Sequence, residues 1–100
     1  MSERIYSYDE IADIVQELLN KYHAEKALLF GSYARKEANR DSDIDLLIYG
    51  GKFFEPTDIF CIADELYRAL NKKVDVYEIR EIDDTSDFYH TILREGVMIA

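Results

Sequence analysis

The sequence has few of the residues that form disulfides or bind polyanions. Its 100 residues include one cysteine, Cys61, so an internal disulfide is excluded and a reducing compartment is expected. Basic residues are outnumbered, with 12 Lys and Arg against 21 Asp and Glu and a net charge of −9. Because proteins bind nucleic-acid backbones through Lys and Arg, we expect no direct nucleic-acid partner. A basic protein partner, or a substrate whose charge a metal ion neutralises, suits this composition better.

Long apolar runs are also missing. The chain is 48% hydrophobic, which is ordinary for a globular protein, but no stretch is long enough to span a bilayer. Residues 1–4 lead into no apolar segment, so we expect neither an export signal nor a membrane anchor, and a cytoplasmic location. Repeats, low-complexity segments and linkers are absent too. Residues 1–100 are therefore expected to form a single domain with one modest core.

Hydrophobic periodicity predicts helices that alternate with strands. A capping-box pair, Ser7 and Glu10, precedes the first apolar stripe at helical spacing. The predicted helices cover 8–22, 33–38, a third segment that starts within 56–58 and is broken by 71–73, and a last segment with the stripe Phe88, Ile92 and Leu93 that Gly96 ends. The predicted strands cover 26–30, 43–49 and 74–79. Residues 97–100 are expected either to add an edge strand or to pack down. On the third helix, Cys61 is expected to be inert and partly buried.

Two carboxylates in residues 28–47 carry the first functional hypothesis. Side chains alternate along a strand, so Asp43 and Asp45 share one face with their Cα atoms about 6.6 Å apart, at ~3.3 Å per residue. The opposite face is apolar and can be buried: Ile44, Leu46 and Ile48. Two adjacent acids repel each other, and a divalent cation such as Mg²⁺, which prefers oxygen ligands, removes that repulsion. The pair therefore predicts a metal site.

A phosphate site is predicted ten residues earlier. Gly31 and Ser32 end the apolar run of the first predicted strand, and glycine lets a backbone approach a ligand closely. If a helix begins just after Ser32, its free N–H groups suit a phosphate. A phosphate cradle beside metal-binding carboxylates indicates phosphoryl or nucleotidyl transfer.

A third carboxylate, Asp75, lies mid-strand between Val74 and Val76 and points away from the face those valines share. Considered alone, it is better explained as an acid on a solvated face or edge, or as the ion-pair partner of Lys72 or Lys73. Together with Asp43 and Asp45 it has a second interpretation, because three carboxylates can hold two metal ions about 3.5–4 Å apart. Asp75 is then the nearest candidate base for an attacking hydroxyl.

The residues match a known family pattern. Gly31-Ser32, ten residues and then Asp43-Ile44-Asp45 form a GSx₁₀DxD signature, set in Phe-Gly-Ser-Tyr-Ala-Arg and Ser-Asp-Ile-Asp-Leu. The chain resembles a minimal nucleotidyltransferase (MNT) domain of the DNA polymerase β-like superfamily over essentially its whole length. The resemblance implies an α/β (α+β) nucleotidyltransferase fold, a small mixed β-sheet flanked by helices. It also implies Mg²⁺, with two ions, and ATP as substrate.

The resemblance also implies a role for each matching residue. Gly31 and Ser32 would bind the triphosphate, while Asp43, Asp45 and Asp75 would be the catalytic, metal-binding carboxylates. Arg35 matches the Ala-Arg of the family's short helix and would hold phosphate or partner, or equally form a surface ion pair. The family often has glycine at the next position, where this chain has Lys36.

Small MNT proteins typically act as antitoxins of HEPN-domain ribonuclease toxins, which they silence by transferring AMP to a toxin tyrosine. The resemblance thus implies an ATP-dependent protein adenylyltransferase whose partner is a HEPN-type toxin. Two alternatives stay open: an antitoxin that neutralises the toxin by binding alone, and an adenylyltransferase acting on a small molecule. The lack of a substrate domain counts against the small-molecule alternative. The identity of the acceptor stays open, and the sequence is compatible with an oligomer.

Overall fold

Helices and strands alternate through the part of the chain that the computed structural model describes, residues 4–100. The elements in chain order are α1 (Tyr8–Tyr22), β1 (Lys26–Phe30), α2 (Gly31–Ala34), β2 (Ile44–Tyr49), α3 (Asp58–Leu70), β3 (Val74–Glu78), α4 (Asp87–Glu95) and β4 (Val97–Met98). A single 3₁₀ turn, Ile79–Glu81, follows β3. The bounds predicted for α1, β1 and the third helix are confirmed.

The four strands form one mixed sheet in the order β3-β2-β1-β4. β1 pairs antiparallel with β2 and with β4, whereas β2 and β3 are parallel. The predicted mixed sheet flanked by helices is therefore confirmed. The open question about the last residues is also answered, because β4 is an edge strand beside β1. Backbone bonds from Ala27 N to Ala100 O (2.9 Å) and from Ile99 N to Ala27 O (3.1 Å) extend that pairing.

The two faces of the sheet carry separate apolar clusters. The larger cluster joins one sheet face to α1 and α3, and its β2 members are Ile44, Leu46 and Ile48. The smaller cluster lies on the other face under α4 and consists of Leu28, Phe30, Leu47 and Ile92. The predicted apolar face of β2 is confirmed. Its acid-bearing face is apolar further along, because Leu47 is fully buried there.

The start of α1 is fixed by the predicted capping box. Ser7 Oγ accepts a hydrogen bond from the backbone N–H of Glu10 (3.1 Å), and Glu10 Oε1 accepts one from Ser7 N (3.0 Å). Two backbone donors that have no partner within the helix are thereby satisfied.

The short second helix differs from its prediction. It begins at Gly31 and ends at Ala34, instead of covering 33–38. Lys36 explains the early end, because its backbone has φ 59°, in the left-handed region that a helix cannot continue through. Glycine would adopt this conformation at less cost than lysine does.

Smaller corrections concern strand ends and exposure. β2 begins at Ile44, one residue after Asp43, and β3 ends at Glu78 because that residue caps the 3₁₀ turn. Cys61 is exposed, not partly buried, since only one stripe of α3 faces the sheet. Leu93 is 46% exposed on α4, where Ile92 alone is buried.

No helix among residues 4–100 is both long and apolar enough to cross a membrane. The expectation about an export signal concerns a stretch whose first three residues lie outside those the structure describes.

We expect Ser7→Ala to lower the free energy of unfolding by about 1 kcal/mol, because it removes the side-chain acceptor of the α1 cap. Urea unfolding followed by circular dichroism measures this. Thr57→Ala is the matched control, since Thr57 occupies the same cap position of α3 but makes no side-chain cap bond. Equal losses in the two variants would contradict the assignment of the Ser7 cap.

Candidate active site

Strand register brings the predicted carboxylates together at one end of the sheet. Asp45 is the register partner of Asp75 on parallel β3 and of Phe30 at the end of antiparallel β1. Neighbouring strands lie about 4.8 Å apart, so Asp45 and Asp75 are side by side on the sheet face that α4 covers. Asp43 lies two residues before Asp45, and Gly31 directly follows Phe30.

Gly31 is in direct contact with one of these carboxylates. Its backbone has φ 72°, and a Cβ added there would lie 2.3 Å from Asp45 Oδ2. Position 31 thus requires glycine for two reasons. Its backbone is in the left-handed region, and the Asp45 carboxylate occupies the space that a Cβ atom would need. Ser32, partly exposed, follows as the second residue of α2.

The environment of Asp45 disfavours its charged form. Burial raises the pKa of Asp45 to about 6, and the negative charges of Asp75 and Asp43 act in the same direction, against a smaller opposing effect of Arg35. The carboxylates are therefore gathered against their mutual repulsion. This is the electrostatic condition that a bound cation relieves.

The nearest positive charge to two of the acids is Lys73. Its Nζ lies 3.9 Å from Asp43 Oδ2 and 3.8 Å from Asp75 Oδ1. The sequence had left this pairing open as an alternative for Asp75, and the structure places the two charges together. Within residues 4–100, no three His, Cys, Asp or Glu side chains are arranged so that they could hold a metal ion as they stand. The donor set itself, three carboxylates of which Asp45 has a raised pKa, has the oxygen chemistry that a divalent cation prefers.

A buried lysine fixes the loop before Asp43, and sequence patterns gave no sign of it. Lys72 is 2% exposed and donates from Nζ to the carbonyl oxygen of Arg40 at 2.7 Å. Next to it, Lys73 O accepts a hydrogen bond from Ile44 N at 3.1 Å. These two bonds tie the turn before β3 to the start of β2, and so fix where Asp43 lies relative to Asp75. A lysine in a polar turn is ordinarily exposed, so only the tertiary structure reveals this contact.

Arg35 is engaged in two ion pairs. Its Nε lies 3.1 Å from Glu37 Oε2 and its Nη1 lies 3.1 Å from Glu95 Oε2 at the end of α4. The structure therefore agrees with the ion-pair interpretation of Arg35. A contact of Arg35 with phosphate stays a prediction.

Comparison with known proteins decides the family. The family described as Polymerase beta, Nucleotidyltransferase matches residues 12–100. This chain belongs to that nucleotidyltransferase family. The predicted resemblance is confirmed at this level, and with it the enzyme class.

Individual relatives agree. The nucleotidyltransferase is 32% identical over 90 residues to a Methanocaldococcus jannaschii protein named "Putative protein adenylyltransferase MJ0435", which covers 90% of this chain and 89% of that one. Its fold is similar to a chain in a crystal structure of a toxin–antitoxin with AMP-PNP (TM-score 0.75, 22% identity, 89% and 72% of the two chains). It is also similar to a chain in the structure of a tri-AMPylated Shewanella oneidensis HEPN toxin in complex with MNT antitoxin (TM-score 0.70, 19% identity, 93% and 71%).

We expect Gly31→Ala to weaken binding of ATP with Mg²⁺ at least tenfold, because the added methyl group displaces the Asp45 carboxylate. Isothermal titration calorimetry measures the affinity. Gly51→Ala is the matched control: Gly51 has φ 79°, but its Cβ would meet only the flexible side chain of Glu25. Both variants should lose stability through backbone strain, about 1–2 kcal/mol. Unchanged ATP affinity in Gly31→Ala would show that the nucleotide does not use this contact.

We expect Asp45→Asn to raise the melting temperature of the metal-free protein at pH 7.5 by a few degrees. The folded-state pKa of Asp45 is about 6, above the ordinary 3.8, so its contribution to stability is present below pH 4 and is lost as pH rises through 6. The gain from asparagine should therefore shrink as pH falls from 7.5 to 4. Thermal unfolding in EDTA across this range measures it, with the exposed Asp13→Asn as control. A gain that grows at low pH would contradict the raised pKa.

Proposed function

We propose that this nucleotidyltransferase transfers AMP from ATP to a tyrosine hydroxyl of a HEPN-type toxin protein and acts as its antitoxin, in a Mg²⁺-dependent reaction. The observation that carries the proposal is the Asp45–Asp75 register pair, with Gly31 packed against it and Asp43 two residues away. The residues that phosphate and metal chemistry need thus meet at one end of one sheet. Surface acids without a function would have no reason to be held this close together despite their mutual repulsion.

The triphosphate would lie along the junction of β1 and α2. Gly31 leaves the backbone bare at that point, and Ser32 offers a hydroxyl and a backbone N–H in the partly exposed first turn. Arg35 would join this surface only by giving up its contact with Glu95 or Glu37.

The carboxylates Asp43, Asp45 and Asp75 would hold the metal, in agreement with their oxygen donors and mutual repulsion. When bound, Mg²⁺ supplies charge neutralisation for the polyphosphate and lowers the pKa of the attacking hydroxyl. Asp75 is the residue proposed to take the proton. A free tyrosine hydroxyl has a pKa near 10, so at neutral pH it needs such help to react.

A protein acceptor suits the chain for two reasons. The described residues are taken up by the sheet and the helices that cover it, which leaves no separate substrate-binding lobe in them. The net charge of −9 favours a basic partner. The name of the M. jannaschii relative and the toxin–antitoxin complexes with similar folds point in the same direction.

The test is to incubate the protein with ATP, Mg²⁺ and a HEPN protein encoded beside it, and then to weigh the partner by intact-mass spectrometry. The wild type should add one or more AMP units. Asp75→Asn, which is close to isosteric, should label at least about a hundredfold more slowly, the low end of a general-base contribution. The exposed Asp13→Asn should label as the wild type does, and EDTA should stop labelling in all three.

Two outcomes would contradict the proposal in different ways. A partner that the wild type inhibits without any added mass would make the protein a binder, not an adenylyltransferase, for that pair. Equal labelling by wild type and Asp75→Asn would reject the role of Asp75 while leaving the transfer itself in place.

A further inference from the structure

One lysine lies between two of the carboxylates assigned to the metal. We propose that Lys73 is a built-in counter-cation, which holds Asp43 and Asp75 together in the metal-free protein and competes with a divalent ion for them. The inference rests on the proposed function, in which those carboxylates bind the metal. Lys73 would then set the concentration of divalent ion at which the carboxylates become occupied.

The position of the ammonium group supports this role. Nζ of Lys73 is nearly equidistant from Asp43 Oδ2 and Asp75 Oδ1, at 3.9 and 3.8 Å, and so bridges carboxylates from two different chain segments. No other ion pair of either carboxylate is found among residues 4–100. One positive charge therefore serves two acids that would otherwise repel each other.

The backbone that carries this ammonium is fixed. Lys73 O accepts from Ile44 N at 3.1 Å, and the neighbouring Lys72 is anchored in the protein by its bond to Arg40 O. The side chain of Lys73 therefore starts from a fixed point beside the first residues of β2 and of β3. The proximity of its side chain to the two acids is therefore set by the fold and is not the chance result of a mobile turn.

The contact itself is loose. Both distances exceed the range of a hydrogen bond, so the ammonium is held by charge alone, and the Lys73 side chain is 60% exposed. Lysine is a compact, strongly hydrated charge on a flexible stem. The group can therefore swing into water when a doubly charged ion takes its place, whereas an arginine clamped by two hydrogen bonds could not leave so readily.

Competition follows from this geometry. Any divalent ion that binds Asp43 and Asp75 must displace the ammonium. The apparent affinity of the site for that ion is therefore reduced by the free energy of the two Lys73 ion pairs. Exposed ion pairs are individually weak, so we expect removal of the Lys73 charge to tighten metal binding by about three- to tenfold. The same removal should destabilise the metal-free protein, since the acids then face each other uncompensated.

The experiment titrates the full chain with Mn²⁺ in the absence of nucleotide and measures free Mn²⁺ by electron paramagnetic resonance, because carboxylate sites that take Mg²⁺ also take Mn²⁺. Lys73→Met removes the charge and keeps the length of the side chain. Lys73→Arg keeps the charge and should bind Mn²⁺ no more tightly than the wild type. Lys52→Met is the matched control, because exposed Lys52 follows the far end of β2. That end of the strand lies about 20 Å from Asp43 at ~3.3 Å per residue, beyond the ~10 Å screening length at 0.1 M salt.

Support requires Lys73→Met to bind Mn²⁺ at least threefold more tightly than the wild type, with Lys52→Met unchanged. In a parallel thermal-unfolding measurement, Lys73→Met should melt below the wild type in EDTA and show a larger rise on adding Mg²⁺. Equal Mn²⁺ affinity of wild type and Lys73→Met would overturn the role of Lys73 and leave the proposed function intact. Absence of Mn²⁺ binding in every variant would also overturn the role of Lys73. The proposed function would then be decided by the labelling of the partner with ATP and Mg²⁺ alone, because Mg²⁺ commonly binds through carboxylates together with substrate phosphates.

Discussion

Repulsion between Asp45 and Asp75 is the constraint around which the candidate-site end of the sheet is arranged. Burial is the largest cause of the raised pKa of Asp45, and parallel pairing of β2 and β3 adds to it by putting Asp75 beside it. The sheet imposes this neighbourhood through the apolar residues on its opposite face, which fix the register. Hydrophobic burial on one face thus supplies the free energy that holds like charges together on the other.

The fold could be predicted where one physical signal dominated. For α1, the capping box and a full apolar stripe agree, and both ends of the helix were found. α2 was misplaced because its length depends on the left-handed backbone at Lys36, a residue type that rarely adopts that conformation. Cys61 was misjudged because an apolar residue type says little about which side of a helix faces the core.

The candidate site was predictable from spacing only in part. In both β2 and β3, the alternation of side chains was enough to put the acids Asp43, Asp45 and Asp75 on the face opposite the aliphatic residues next to them. Their proximity depends on which strands pair and in what register, and that is a property of the whole sheet. The buried Lys72 had no local signal, because its position depends on a carbonyl group 32 residues earlier. The catalytic roles of these residues stay predictions.

The exposure of Cys61 has a practical consequence. It is the chain's one thiol, and it lies on α3, whose buried side faces the sheet surface opposite the carboxylates. A maleimide dye would therefore attach at a single known position without any engineered cysteine. Fluorescence anisotropy of the conjugate would report the size of any complex that the protein forms, with the candidate-site carboxylates left unmodified.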